Sequence, residues 1–317
     1  MAAACVGVAG LGAGAAPHAE EFFPVRDENP LTRGFYVPLP SDSRRDDPAT
    51  LTAAFSISNT VNAEVRGPES LLVDGESDTL RLSFDGAAVD GWRYRFTLPV
   101  IRDSGGFLDG LIESWHRFFG LPRGERVYYP KYQLDYYYAR SGGSDVAVLV
   151  DHPQTAIGDL SAEAGWFAAD DAARTLSLWA GLTAPTGSAA RLTGDGSWDA
   201  AAWAHWAERF TRWQLAVEAG VMQPFGDQIF AGEAHHTAEF ARVAATRSVT
   251  AAWSLRAQLD GQSRRVDGDL RFVGPSLQLT LGAVRRLHGR WRLEMGFAED
   301  AAVNTAPDVG FFIAVHD

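Results

Sequence analysis

Seven histidines follow residue 19, and any acid–base or metal chemistry would have to start from them. His116 stands with Ser114, Asp109 and Glu113 in the segment GGFLDGLIESWHRFFGLPRGER, residues 105–126. Those are the residue types of a serine hydrolase. Their spacing argues against a site made by this segment alone. At ~100° per residue, Ser114 and His116 diverge by about 200° on a helix, so partners would have to come from elsewhere. His205 beside Trp203 on one strand face is a second candidate. His235 and His236, with Glu233 and Glu239 nearby, suggest metal, but adjacent strand residues point to opposite faces and cannot both chelate one ion without a bulge. The chain has no HExxH motif and no Gly-x-Ser-x-Gly elbow. Its one cysteine, Cys5, leaves the remainder without a disulfide or a Cys-based zinc site. No metal and no cofactor is expected.

The elements that would position these residues have mostly a period of two. LTAAFSISNTV sets Leu51, Ala53, Phe55, Ile57 and Val61 against Thr52, Ser56, Ser58 and Thr60. TLRLSFD sets Leu80, Leu82 and Phe84 against Arg81, Ser83 and Asp85. WRYRFTLPV, WQLAVEAGV, VTAAWSLRAQLD and WRLEMGF repeat the pattern. The polar faces are long and carry both signs of charge: Arg81, Arg93, Arg95, Arg256 and Arg292 with Asp85, Asp135, Glu163, Glu218 and Glu294. Such a face suits a wet barrel interior. A soluble β-sandwich also alternates. Here, however, large aromatics sit at strand ends, where a sandwich core would favour Val and Ile. Trp92, Trp213 and Trp291 each open a strand after a short turn and Trp166 closes one, the placement of an interfacial girdle. Tyr128, Tyr129, Tyr132 and Trp198 fall toward the opposite rim.

After residue 19 no apolar run approaches the ~18 residues of a membrane helix. A membrane-spanning reading therefore requires a closed barrel. Fourteen strands are expected, at 51–62, 79–86, 91–101, 131–140, 145–151, 159–168, 174–183, 198–207, 212–222, 235–245, 248–260, 270–285, 290–299 and 308–316. Twelve is the alternative, because 145–151 and 159–168 have weak boundaries. An even number leaves both termini on one side. Turns such as ADDAAR, ERFTR and HGR are short, and the linkers 62–78, 102–130, 184–197 and 223–234 are longer, as in outer-membrane barrels.

Residues 1–19 read as a secretory signal, although no Lys or Arg precedes the apolar run. Residues 20–50, rich in Pro, Arg and Asp, read as an extended segment able to sit inside a barrel as a plug. Residues 51–317 read as the barrel. The exception to the strand period is 107–119. Phe107, Leu108, Leu111, Ile112, Trp115, Phe118 and Phe119 form a helical stripe opposed by Asp109, Glu113, His116 and Arg117. At ~1.5 Å per residue it spans roughly 20 Å, about a barrel's width. A lid across the mouth, a plug in the lumen and an amphipathic anchor at the lipopolysaccharide interface all fit, with lid or plug preferred.

Several segments together resemble a known family: WHRFFGLPRGER at 115–126, IGDLS at 157–161, LTAPTGS at 182–188, GDGSWD at 194–199 and AED…APDVGFF at 298–312. The family comprises uncharacterised Gram-negative outer-membrane proteins known only as a domain of unknown function. The likeness runs through residues 51–317. It implies an outer-membrane β-barrel, and no reaction or ligand.

The net charge of −12 argues against a nucleic-acid partner. The partners expected are outer-membrane lipid, lipopolysaccharide and the barrel-assembly machinery. The last would read the final strand, where Asp308, Gly310, Ile313 and Val315 partly match its signal. The functional expectation is a gated or plugged, porin-like channel or transporter, for a hydrophobic small molecule in its sharpest form. Two alternatives are a lipid-modifying or hydrolytic enzyme centred on His116 or His205, and a structural or adhesive barrel.

Overall fold

Alternation along each strand is resolved by two different solvents on its two faces. On β2 (Glu69–Val89), Leu80, Leu82 and Phe84 are exposed outward, while Thr79, Arg81, Ser83 and Asp85 are buried inward. On β3 (Trp92–Ser104), Trp92, Tyr94 and Phe96 face out, and Arg93, Arg95 and Thr97 face in. The fold comes from a computed structural model describing residues 21–41, 44–89, 91–120, 124–230, 237–302 and 305–317. The signal segment 1–19 and the His235–His236–Glu233 group lie outside the described residues, as does the Phe119 side chain.

The wall is a closed antiparallel barrel of twelve strands. It runs from β1 (Thr50–Arg66) through β2 and β3 to β7 (Leu160–Asp170), β8 (Arg174–Ala184), β9 (Asp199–Arg209), β10 (Trp213–Pro224), β11 (Ala238–Ser248), β12 (Trp253–Gln262), β13 (Ser276–Arg286), β14 (Arg292–Asp300) and β15 (Val309–His316). Pairing of β1 with β15, from Thr52↔His316 to Asn59↔Val309, closes the circle. Closure leaves no wall edge unpaired, as a lipid-facing sheet requires. Among the described residues no helix is long and apolar enough to cross a membrane, a statement that does not bear on strands.

Twelve is the smaller of the two counts expected from sequence. The predicted strands 131–140 and 145–151 exist as β4 (Asp135–Arg140) and β5 (Asp145–Val150), but they stand outside the wall. They form a hairpin that pairs with the upper part of β2, Ser70↔Ala139 to Asp74↔Asp135. A further short strand, β6 (Gln154–Ile157), pairs with the end of β3. The short turn Ser141–Gly143 joins the two strands of this hairpin. Asp135, expected on the lumen face, sits on β4 and off the lumen wall.

The expected linker at 62–78 is instead continuous strand. β1 and β2 stay paired up to Arg66↔Glu69 and turn at Gly67, whose φ is 53°. A tilted spanning strand needs roughly 9–11 residues. At 17 and 21 residues, β1 and β2 overshoot. Beyond that length residues 59–62 of β1 and 71–77 of β2 are shielded on both faces, so the polar–apolar alternation fails there and the sequence looks like loop. The reverse error occurs at 270–275, where apolar Leu270, Phe272 and Val273 were expected in a strand. They are buried in a loop before β13. Likewise Val249 and Thr250 form a turn stapled by the Trp253 N–H to the Thr250 hydroxyl, 3.0 Å, so β12 begins later than 248.

Trp92, Trp166, Trp213 and Trp291 are all partly exposed outward at the short-turn end, and Trp92 pairs with Trp166 across β3 and β7. Trp198, Tyr128 and Tyr132 are exposed at the long-loop end.

Candidate functional site: the filled lumen

The proline-rich residues 21–48 cannot join the sheet, because Pro24, Pro30, Pro38, Pro40 and Pro48 remove ladder donors. They occupy the lumen instead. Glu21 begins at the short-turn end, where it meets His205 Nε2 at 2.7 Å and accepts from Gln214 at 3.1 Å. The Phe23 N–H donates to Gln258 at 2.7 Å, and the Arg256 guanidinium lies 4.6 Å over the Phe23 ring. Farther up, Glu28 accepts from Arg81. The chain reverses at the long-loop end through a tight turn, in which Thr32 and Arg33 N–H groups bond the Asn29 carbonyl at 3.1 and 2.8 Å. There the Asn29 side chain donates to the Phe272 carbonyl at 2.6 Å.

The descending leg retraces the lumen. Tyr36 donates its hydroxyl to Glu163 at 2.8 Å and its N–H to Asp199 at 2.8 Å. Arg242 donates to the Pro38 carbonyl, Arg95 to the Pro40 carbonyl at 2.9 Å, and the Ser41 N–H to Glu218 at 2.7 Å. Arg44 reaches Asp170 at 3.1 Å, back at the short-turn end, and Thr50 then starts β1. The segment is thus a hairpin inserted along the whole barrel from one end, its tip at the other.

Of the expected lumen charges, Arg81, Asp85, Arg93, Arg95, Glu163, Glu218, Arg256 and Glu294 are buried inside, and Arg292 is half-buried. They pair along the wall: Arg95 with Asp85 at 2.9 Å and Glu163 at 3.2 Å, and Arg292 with Glu294 at 3.1 Å. Arg242, unremarked in the sequence, bridges Glu218 at 2.8 Å and Asp260 at 3.0 Å. In a low-dielectric interior a lone charge is expensive, and most wall charges find a partner of opposite sign. The partners that sequence reasoning missed are on the hairpin, because 20–50 has no period from which facing residues could be read.

The tip is capped by an apolar core. Leu31 and Phe35 pack with Leu71 and Val73 of β2, Tyr136 and Tyr138 of β4, and Phe230, Leu270 and Phe272 of the long loops. Phe35 stacks on Phe230 at 6.1 Å between ring centres. Two glycines permit close approach. A Cβ on Gly34 would lie 2.8 Å from the Gly194 carbonyl carbon, and one on Gly181 would lie 2.2 Å from the Tyr36 hydroxyl. In the loops beside the tip, burial pushes the Asp159 carboxyl up to about 6, opposed by the Gly187 N–H that donates to it at 2.7 Å.

The mouth is therefore closed by the β4–β5 hairpin and loops, and the helix is elsewhere. Helix α1 (Asp109–Phe119) ends at Gly120 with φ 68°. Asp109 accepts from Asn59 at 3.1 Å and Arg126 at 2.9 Å, and Glu76 accepts from the Phe107 and Leu108 N–H groups. Asn59 continues the outward parity of Phe55 on β1, and Glu76 that of Leu80 on β2. The helix thus docks on the outside of the wall, burying Leu108 and Ile112. Leu111, Trp115 and Phe118 are 57%, 56% and 81% exposed. This corrects the preference for a lid or plug: the stripe is too wide to be buried against one wall face, and most of it points away from the lumen. Glu113 pairs with Lys131 at 2.6 Å.

Of the residues considered for hydrolysis, the Ser114 hydroxyl donates back to the Gly110 carbonyl at 2.7 Å. His205 is fully buried between Glu21 and Glu218, the latter at 3.2 Å, so it bridges hairpin and wall.

The fold is shared with the COG4313 outer membrane channel from Pseudomonas putida F1, at a TM-score of 0.55 and 14% identity, over 89% of this chain and 97% of that one. The Ralstonia pickettii toluene transporter TbuX aligns with a TM-score of 0.43 and 10% identity, over 94% of this chain and 98% of that one. No curated protein matches by sequence. A family model matches residues 22–316, taking in the hairpin as well as the wall. The chain accordingly belongs to the family described as Protein of unknown function (DUF3187).

Proposed function

We propose that this chain is an outer-membrane passage held closed by its own N-terminal hairpin. The short-turn end faces the periplasm and the long loops face outward, the usual disposition of such barrels. The observation that carries the reading is the mode of attachment. Residues 21–41 and 44–48 run along the lumen in two legs held by side chains, with no strand ladder to the wall among the described residues. A segment held that way can leave without tearing the barrel. Eight strands leave room for a single small ligand and sixteen to eighteen an aqueous channel, so twelve strands without the hairpin would give a narrow passage. Hydrophobic cargo is supported by Trp179, Trp203, Phe167 and Phe240, an inward aromatic cluster now packed on Tyr36 and Val37.

A tether tests the reading. Ser41→Cys and Glu218→Cys, oxidised to a disulfide, should hold the hairpin in place and suppress conductance in planar bilayers. Reduction should restore it. Equal conductance in both states, or none in the reduced state, would overturn the proposal.

A further inference from the structure

At the short-turn end the two legs of the hairpin part, leaving a cavity of about 120 Å³ against the wall. Its lining is divided by chemistry. The hairpin supplies apolar surface, from Phe22, Phe23, Pro24 and Leu39. The wall and its turns supply five arginines against Asp85 and Asp317, with Asp47 of the hairpin a third aspartate, a positive site in a chain of net charge −12.

Most of those charges already have partners. Arg95 is bridged by Asp85 and Glu163, Arg290 by Asp317 at 3.0 Å, and Arg292 by Glu294. Arg93 differs. It is 1% exposed, yet among the described residues no carboxylate lies within ion-pair distance of it. Its guanidinium donates to the backbone carbonyls of Asp47, at 2.5 Å, and Pro48, at 3.3 Å, and its Nε is buried without an acceptor. The Asp47 carboxylate accepts from the Arg44 N–H at 2.8 Å, and that of Asp85 from Arg95 at 2.9 Å. A buried cation hydrogen-bonded only to carbonyls, with Asp85 and Asp47 acting on it from beyond ion-pair distance, is incompletely compensated, and an arriving anion would complete it. The planar guanidinium suits a carboxylate in particular.

We infer that this cavity binds a small aromatic monocarboxylate, its carboxylate on Arg93 and its ring against Phe22, Phe23 and Leu39. The site exists with the hairpin in place, so it stands whether or not the hairpin moves.

Calorimetric titration of the full chain in a zwitterionic detergent tests it, with benzoate as probe. Benzoate should bind one to one, at least tenfold more tightly than the isosteric neutral benzamide. Arg93→Met should weaken benzoate at least tenfold and leave benzamide unchanged, with heat-modifiable gel migration reporting an intact barrel. Equal binding of benzoate and benzamide to the unaltered protein would overturn the inference even if the variant fails to fold. Displacement of benzoate by equimolar inorganic phosphate would reduce the site to a general anion hole and overturn the aromatic assignment. Binding is read here and conductance in the tether experiment, so either proposal can fail alone.

Discussion

Arg33 at the hairpin tip and Asp103 at the end of β3 form a two-pronged ion pair, Nη1–Oδ1 at 2.8 Å and Nη2–Oδ2 at 2.7 Å, with both side chains wholly shielded from solvent. Ser77 shares the site, donating to Asp103 at 2.7 Å. The pair ties the most remote part of the hairpin to the wall, where Leu31 and Phe35 add roughly 1.5–3 kcal/mol of apolar burial each.

Breaking that pair from one side should release the tip. Asp103→Ala leaves Arg33 buried and unpaired, a loss of about 3–5 kcal/mol for such sites. Channel openings should become frequent in single-channel recordings. The double variant Asp103→Ala/Arg33→Met, which removes both charges, should return toward the closed behaviour of the parent.

Tyr36 fits only because residue 181 lacks a side chain. Gly181→Leu places carbon where the Tyr36 hydroxyl lies and should break its bond to Glu163. Overpacking of this kind typically costs 1–3 kcal/mol. The descending leg should then become accessible to protease in otherwise intact barrels, while the same change at exposed Gly67 should not expose it.

Helix α1 lies against the exterior of the wall, so it should not control passage. Replacing Leu111, Trp115 and Phe118 together with Ser should leave single-channel conductance within about twofold. What should change is seating in the lipid, because these residues extend the outward apolar band above Leu80 and Phe96. Easier extraction by mild detergent is the measurable consequence. A large change in conductance would return the helix to the mouth.

The loops around the tip should loosen as pH rises. Asp159 holds its proton more tightly in the folded loops, near 6, than its ordinary value of 3.8. A folded state that binds more protons loses stability as pH climbs between those two values and is level above the higher one. Hydrogen exchange of residues 185–198, corrected for the intrinsic rate, should therefore quicken from pH 4 to pH 7. Asp159→Asn should lessen that dependence, with a remainder from Asp195 in the same loop, whose carboxyl burial also raises.

The wall was legible because the outer and inner faces of a barrel impose opposite demands on alternate residues. Leu80, Leu82 and Phe84 against Arg81, Ser83 and Asp85 can mean little else once the pattern recurs and tryptophans mark one level. Legibility fails wherever protein replaces lipid. The upper parts of β1 and β2, buttressed on both faces, lose their alternation, and Leu270–Val273 mimic a strand while packing in a loop. Of the interior residues, Arg95, Glu163 and Glu218 could be chosen by parity. Their partners Tyr36, Pro40 and Ser41 could not, since an aperiodic segment gives no rule for which residue faces what.

The sequence by itself thus determined the barrel, its girdle and the polarity of its inner face, because those depend on neighbours two residues apart. Only the tertiary structure decided that residues 21–48 run up the lumen and back, that β4 and β5 close the mouth, and that α1 docks outside. Each rests on pairings between distant parts of the chain, Arg33 with Asp103, Phe35 with Phe230, Asp109 with Asn59 and Arg126. Contacts of that kind are chosen by shape and charge in three dimensions, and no local period encodes them.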